Sequence, residues 1–478
     1  MKRNALTYLL LPFLLALLVT ACKDDTLPAS PAEEEEAGSG VYVSVVVNTG
    51  GSNASRVPTP GEGGDGPQAG TVEESTVHDL NVFFFQGDDG INSDANTEIT
   101  HCLYFSQDNN NLFGGIGRGD YDAVYYSATE DVSDKLQIGE RYNVLVIANA
   151  GDLSNNATLQ TLGNLRDYQV SETITDDGYF LMSSKSDAFI DIKANTPATA
   201  EPVSVNIERM TARVDYKIVQ SYITDSGDKV TIKNATLVNK HETSPYVFKR
   251  VSKNIENLSD IEYLGNEAVT GNIASNYVLD PYTASNDLTK RMYGMRFANF
   301  EDWNQSAVWK ELQVSPDYTR LEYTEENIVT VDVVAAQRST YCTGIVFKAQ
   351  YIPKGFEDKQ DKSFYWYSGK AYASWDEIGI AGLTESNYED YGVIYYREGI
   401  CYYTYWIRHA DDDNPDVISP MEYAIVRNNI YQLNVNSISG IGSETPQDEV
   451  KVSIKVYVKN WEEIETEDVV WGDPASES

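Results

Sequence analysis

Short runs of strand-forming residues recur along the whole chain, separated by segments rich in Gly, Asn, Asp and Ser. Val41-Tyr42-Val43-Ser44-Val45-Val46-Val47 is almost pure strand former, and Val41, Val43, Val45 and Val47 share one face under the two-residue period. Residues 80–85 form a second strong strand, and 142–148, apolar apart from Asn143, read as a strand buried on both faces. Residues 204–207 lead into the alternating run 213–219. Further strands are expected at 230–238, 341–352, 364–367, 392–396, 400–408, 422–426, 429–437 and 450–459. Helical periodicity is weak, with residues 300–312 the best short candidate. No solenoid repeat, heptad array or alternation of strands with helices occurs, so the pattern predicts an all-β chain of sandwich type. A length of 478 residues favours two or three domains, with a boundary near residue 205.

The N-terminus has a different pattern. Lys2 and Arg3 precede an apolar run over 9–19 that is too short to span a bilayer, and Val19-Thr20-Ala21-Cys22 supplies small residues before a cleavage point. This ending resembles the lipobox of bacterial lipoproteins, which implies a signal peptide over 1–21 and acylation, with palmitate among the acyl chains, at Cys22. Lys23-Asp24-Asp25 resembles the surface-export signal of Bacteroidetes lipoproteins. Residues 24–40, with four glutamates at 33–36, read as a tether. No later stretch is apolar enough to cross a membrane, so any anchoring is through lipid at Cys22.

The strand at 41–47 thus lies between that tether and a second flexible stretch, 48–70, rich in Gly and Pro. A long loop directly after a first strand usually means function or processing. Arg56 is the only Lys or Arg between Lys23 and Arg118, so a trypsin-like protease meets a single site here, in a segment of the kind that proteases cut. Burying the four valines contributes roughly 6–12 kcal/mol at about 1.5–3 kcal/mol each. Removing such a strand leaves an apolar groove with two open edges, a template for another chain's strand.

Asp and Glu total 73 against 36 Lys and Arg, a formal charge of −37. A surface so acidic repels phosphate backbones and anionic headgroups, which removes nucleic acid from the expected partners. The apolar share of 41% excludes wholesale disorder, and the 33 tyrosines suit the strands and half-wet surfaces of an exported β-protein. Chemistry finds little support. His78, His101, His241 and His409 stand apart, outside HExxH or CxxC company, and no nucleophile elbow, P-loop or dinucleotide fingerprint occurs. Asp88-Asp89 and Asp411-Asp412-Asp413 lack EF-hand spacing and read as solvated loops. No pair of glycosidase carboxylates can be chosen among so many acids. The expectation is a protein that is not an enzyme and needs no cofactor or metal. Arg118-Gly119-Asp120, an integrin-binding tripeptide in many animal adhesins, is short enough to arise by chance. Cys102, Cys342 and Cys401 form neither a disulfide framework nor a metal motif and read as buried thiols, with at most one pair.

At the other end, Val450, Val452, Ile454, Val456 and Val458 form one face of an amphipathic strand. The chain continues through Trp461, Ile464, Val469, Val470 and Trp471, and from Trp461 onward it has seven acids and no base. Two placements are open to this apolar-studded end: packing on its own domain, or entering a neighbour's groove.

Several of these pieces, taken in order, resemble the fimbrillins (type V pilins) of Bacteroidetes. They are Cys22, the strand and loop ending at Arg56, Ile207-Glu208-Arg209-Met210-Thr211-Ala212-Arg213, Tyr402-Tyr403-Thr404-Tyr405-Trp406, Val426-Arg427-Asn428-Asn429-Ile430-Tyr431 and Val456-Tyr457-Val458-Lys459-Asn460-Trp461. The pattern is nearest to the structural subunits of short (minor) fimbriae of Porphyromonas. The resemblance implies two transthyretin-like β-sandwich domains in tandem: a lipidated propeptide over 22–56, an N-terminal domain over 57–205 and a C-terminal domain over 206–478. It also implies cleavage of the Arg56–Val57 bond by an arginine-specific protease and loss of the first strand. A C-terminal strand of another copy then fills the groove, with Trp461, Ile464, Val469, Val470 and Trp471 as donor candidates, and a head-to-tail polymer results. Accessory fimbrial subunits and host or bacterial surface receptors are the further partners implied, on the outer-membrane surface, in adhesion, biofilm formation and virulence. The polar tail 472–478 has no counterpart in that pattern. Two alternatives are an anchor or accessory subunit that keeps its lipid and first strand, and a surface glycan-binding lipoprotein using aromatics such as Tyr365, Trp366 and Tyr367.

Overall fold

A computed structural model describes residues 40–49, 66–68, 70–116, 123–200, 202–241, 245–252, 261–265, 268–270, 273–281, 293–294, 309–329, 338–409, 418, 421–446 and 452–460. Apart from short helical turns such as Val72–Ser75 and Leu162–Arg166, its regular structure is all β.

The first sandwich contains β1 (Tyr42–Asn48), β2 (Asp79–Phe85), β3 (Ile99–Ser106), β4 (Leu112–Ile116), β5 (Ala123–Ser127), β6 (Arg141–Ala148), β7 (Met182–Ser184), β8 (Ala188–Asp191) and β9 (Pro202–Arg209). They form one sheet in the order β3-β2-β6-β7-β9-β1-β5-β4, with β8 beside β6. The two halves of the sheet close over a common core, in which Val43, Val45 and Val47 of β1 meet Val82 and Phe84 of β2 and Val144 and Val146 of β6. β6 is buried on both faces, because Leu145 and Ile147 point the other way into a second cluster with Leu162, Leu165 and Phe248. Its unbroken apolar run is explained by that double burial.

The chain passes from the first sheet to the second at the buried residues Met210 and Thr211. The second sandwich contains β10 (Ala212–Lys217), β11 (Lys229–Val238), β12 (Thr319–Thr324), β13 (Gly344–Ile352), β14 (Ile400–Trp406), β15 (Asn429–Ile438) and β16 (Val452–Asn460). One sheet runs β16-β15-β10-β12 and the other β11-β13-β14. Val214, Ile232, Phe347, Tyr403 and Leu433 fill the space between them. Alternation along β10, β11 and β15 supplies that inner face.

One expectation fails, and one falls mostly outside the described residues. Residues 422–426 form no strand: Met421 has a φ of 65°, which breaks extended geometry, and only Ile425 makes an isolated bridge, to Asn327. Most of the helix expected over 300–312 lies outside the described residues, and its end, Lys310–Glu311, is a short strand paired with β11.

Candidate functional site

The most distinctive site is the slot that β1 occupies. β1 is a central strand, parallel to β9 on one side and antiparallel to β5 on the other. Beyond β5 its start pairs with Glu130–Asp131, where the ladder has shifted by one residue. At that irregularity the Ser127 hydroxyl accepts from the Val45 N–H at 2.9 Å, so the broken ladder leaves no stranded donor. The beginning of the strand is fixed by side chains. Val41 N–H donates to Ser133 Oγ at 2.8 Å, and Asn195 holds Tyr42 at both backbone groups, accepting at 2.7 Å and donating at 2.9 Å. Val41, Val43, Val45 and Val47 are between 0% and 2% exposed, the shared inward face that their spacing predicts.

Where β1 ends, Arg209 takes over. This guanidinium, 2% exposed, donates to the carbonyls of Thr49 (3.4 Å) and Glu74 (2.7 Å), to Ser75 Oγ (2.8 Å) and to Asn428 Oδ1 (3.4 Å). It therefore joins the end of β1, the helical turn 72–75 and the turn before β15. Thr71 caps that helical turn in a capping box with Glu74. The Glu74 carboxylate, wholly buried, also accepts from Arg213 and from the Tyr323 hydroxyl. Burial alone would raise its pKa, but Arg213 and Tyr323 outweigh this and hold it below the usual glutamate value. Burial pushes Asp215, which pairs with Arg213 in turn, the other way. The residues just after the Arg56 loop are thereby clamped to both sandwiches.

The C-terminal strand is the third part. β16 pairs with β15 from Asn429↔Asn460 to Ile438↔Val452, and Val452 and Val458 are buried in the core of its own sandwich, with Ile454 and Val456 packed against it. Of the two placements open to the C-terminal end, β16 itself takes its own domain. On its far side, Gly66–Pro67 runs parallel to Lys459–Asn460. The closing part of the Arg56 loop and the chain that precedes Trp461 thus lie side by side.

Cys22, Arg56, Val57, Trp461, Ile464, Val469, Val470 and Trp471 lie outside the described residues, as do Arg118-Gly119-Asp120 and Asp411-Asp412-Asp413. Among the described residues no cluster of three or more His, Cys, Asp or Glu is placed to hold a metal, and no helix is long and apolar enough to cross a membrane. Cys342 and Cys401 are buried thiols, whereas the Cys102 thiol, expected to be buried, is only partly so. Tyr365 and Tyr367 pack within a satellite layer over residues 364–396, while Trp366 packs against the main core of the second sandwich. Sequence reasoning found β1 but missed the ionic seam of Glu74, Arg209, Arg213 and Asp215. Its one legible trace was the Thr71-x-x-Glu74 spacing.

Residues 394–467, which span β14, β15 and β16, match the family model described as "Major fimbrial subunit protein type IV, Fimbrillin, C-terminal". The match covers the closing part of the second sandwich and is to the family that the sequence resembles. Solved structures similar to the chain include a fimbrilin (FimA) from Porphyromonas gingivalis, at 14% identity over 89% of this chain and 98% of that one, with a TM-score of 0.40. Another is a fimbrial assembly protein from Parabacteroides distasonis, at 13% identity over 88% and 96%, with a TM-score of 0.38. A third is the tip fimbrial protein Mfa3 from Porphyromonas gingivalis with a C-terminal truncation, at 12% identity over 87% and 99%, with a TM-score of 0.36. No curated protein matches the sequence.

Proposed function

We propose that the chain is a structural subunit of a surface fimbrium that polymerises by strand exchange. In this reading the precursor is exported as a lipoprotein acylated at Cys22, an arginine-specific protease cuts between Arg56 and Val57, and β1 leaves with the propeptide. The segment 461–471 of another copy then takes the vacated slot. The observation that carries the reading is β1 itself. It is a central strand with a ladder on each side and, with Val41 just before it, puts four valines in the core, yet it precedes the single basic residue of the loop. One cut there severs it from everything that follows.

The slot left behind exposes apolar surface worth about 6–12 kcal/mol, comparable to the whole stability of a domain, so it demands an occupant. A donor from one copy and a groove on the next make a heterologous interface that does not close, and the product is a filament. Adhesion to host or bacterial surfaces and biofilm formation follow as the work of such a filament, with accessory subunits at its ends.

The test uses protein beginning at Lys23, treated with an arginine-specific protease and followed by N-terminal sequencing, size chromatography and electron microscopy. A single cut before Val57 followed by growth into filaments is the expected result. If Arg56 resists cleavage in the folded protein, the reading fails and an anchored subunit that retains β1 replaces it.

A further inference from the structure

We propose that the hairpin of β4 and β5 is a self-sealing flap: when β1 leaves, the hairpin moves across by one strand position, pairs directly with β9 and closes the groove until an incoming strand displaces it. This rests on the removal of β1 argued above.

The topology isolates the hairpin. Among the described residues, β4 pairs only with β5, and β5 pairs only with β4 and β1. β1 is therefore the sole ladder connecting the hairpin to β9 and the rest of the sheet. The hairpin's base stays attached when β1 goes. Asn111 N–H donates to the Ser106 carbonyl at the end of β3, Ala128 N–H donates to the Asn111 carbonyl and Leu136 is buried beyond it, while the bond from Val132 N–H to the Val41 carbonyl is lost with β1. A two-stranded ribbon pinned at its base and freed along one side is a hinged element.

The register makes closure possible without a slip in pairing, though the Tyr125 hydroxyl gives up its bonds to Val77 and Thr76. Val46 faces Tyr126 on one side and Ser204 on the other. Val47 faces Tyr125 and Val205, and Asn48 faces Val124 and Asn206. β9 is parallel to β1 and β5 is antiparallel to it, so β5 and β9 already run antiparallel to one another. Removing β1 leaves the same three pairs looking at each other across one vacant strand position, a shift of about 4.8 Å. The faces agree at each level: Tyr125 and Val205 are both buried in the core, while Tyr126 and Ser204 both face solvent. A slip by one residue would turn Tyr125 outward, which fixes the register of the sealed form. Closure pairs the N–H and C=O groups that β1 left bare on both neighbours. It also replaces a parallel ladder with an antiparallel one. An incoming strand must then peel the flap from β9 before it can bind, so the groove resists stray strands.

A cysteine pair reads the two states. Ser204→Cys and Tyr126→Cys sit on the solvent face, and in the intact chain β1 holds their backbones two strand spacings apart, roughly 9–10 Å, beyond the reach of a disulfide. The full chain carrying both substitutions is cut at Arg56, stripped of β1 in denaturant and refolded, and cross-linking by a mild oxidant is followed by mass and non-reducing mobility. The expected result is an intramolecular disulfide that forms about tenfold or more faster in the stripped protein than in the uncut one. The cross-linked form is expected to refuse a synthetic peptide of residues 40–49, and reduction to restore its binding. A stripped protein with intact sheet spectra that does not cross-link overturns the flap, as does equal cross-linking in the uncut protein.

A second variant needs no refolding. Val45→Asp added to the cysteine pair loosens β1 in the uncut chain, and cross-linking is expected to rise relative to the parent pair; no rise overturns the proposal. Neither experiment depends on polymerisation. Sealing without filaments would sink the strand-exchange reading alone, and filaments without sealing would sink the flap alone.

Discussion

Arg213 reaches across the seam between the two sandwiches to Glu74. Its Nη1 donates to Glu74 Oε2 at 2.9 Å, while its Nε and Nη2 hold Asp215 at 2.9 and 2.7 Å. Three charged groups thus share one buried place, and removing one strands the others. Arg213→Ala is expected to cost about 3–5 kcal/mol, because it takes the ion-pair partner from buried Asp215 and leaves Glu74 only the half-exposed Arg320, at 3.4 Å, and the Tyr323 hydroxyl. The double variant Glu74→Gln with Arg213→Met should cost less than the sum of its parts. Urea unfolding followed by tryptophan fluorescence measures both, and additivity would contradict the pairing.

The same carboxylate gives the protein an acid limb. Glu74 titrates below the ordinary glutamate value in the folded state, so in the intervening range the unfolded chain binds more protons than the folded one. Its contribution is complete above the unfolded pKa and is lost as pH falls through the folded one. Between about pH 5 and pH 3 the urea midpoint of the parent is expected to fall more steeply than that of Glu74→Gln. Parallel curves would show that the carboxylate carries no such linkage. Asp215, raised by burial, works in the opposite sense in both proteins.

Val45 has no exposed surface and sits at mid-strand in β1. Val45→Asp places a carboxylate in the apolar core, at a cost of at least about 3 kcal/mol. In protein cut at Arg56, the N-terminal fragment should therefore dissociate about a hundredfold faster from this variant than from the parent. Equal release rates, read by size chromatography, would mean that the strand's valines do not hold it.

β16 belongs to the second sandwich and should fail with it alone. Val458→Asp disrupts pairing along β15. Amide hydrogen exchange is expected to rise over 429–438 while 80–85 stay protected. A uniform rise across both segments would show that the sandwiches unfold as one unit.

Burial pushes the Cys102 thiol up to about 12 and the Cys401 thiol up to about 11, so neither is a thiolate at pH 8. Cys342 is fully buried. In protein starting at Lys23, a charged thiol reagent should label Cys342 and Cys401 only after unfolding, and the partly buried Cys102 slowly before it. Rapid labelling of the native protein would place a thiol at the surface.

What the sequence revealed follows from range. The inward face of β1 and the double burial of β6 are written in consecutive residues, since a period of two, or its absence, survives in any local window. The neighbours of β1 are not. Asn48 meets Asn206 and Val124 only because the sheet brings together segments far apart in sequence. β4 escaped notice because Leu112-Phe113-Gly114-Gly115-Ile116 carries glycines that suggest a loop. Gly114 is there for a close approach: with a φ of 128°, a Cβ at that position would lie 2.4 Å from the Val124 carbonyl oxygen. Residues 422–426 misled in the other direction. Their strand-forming composition is overridden by the turn at Met421 and by the buried Arg427, which reaches Glu326 at 2.7 Å. The ionic seam was hidden for a simpler reason, because charged residues are rarely buried and no local pattern announces a buried cluster.

A strand with a ladder on each side has a mechanical character that an edge strand lacks. Tension applied along the axis of β1's slot loads two ladders in shear at once, where an edge strand has only one to share the load. In the proposed filament the occupant of that slot is the splice between successive subunits. The fibre would then yield by subunits unravelling before its splices slip, which suits a tether that must hold a cell against flow.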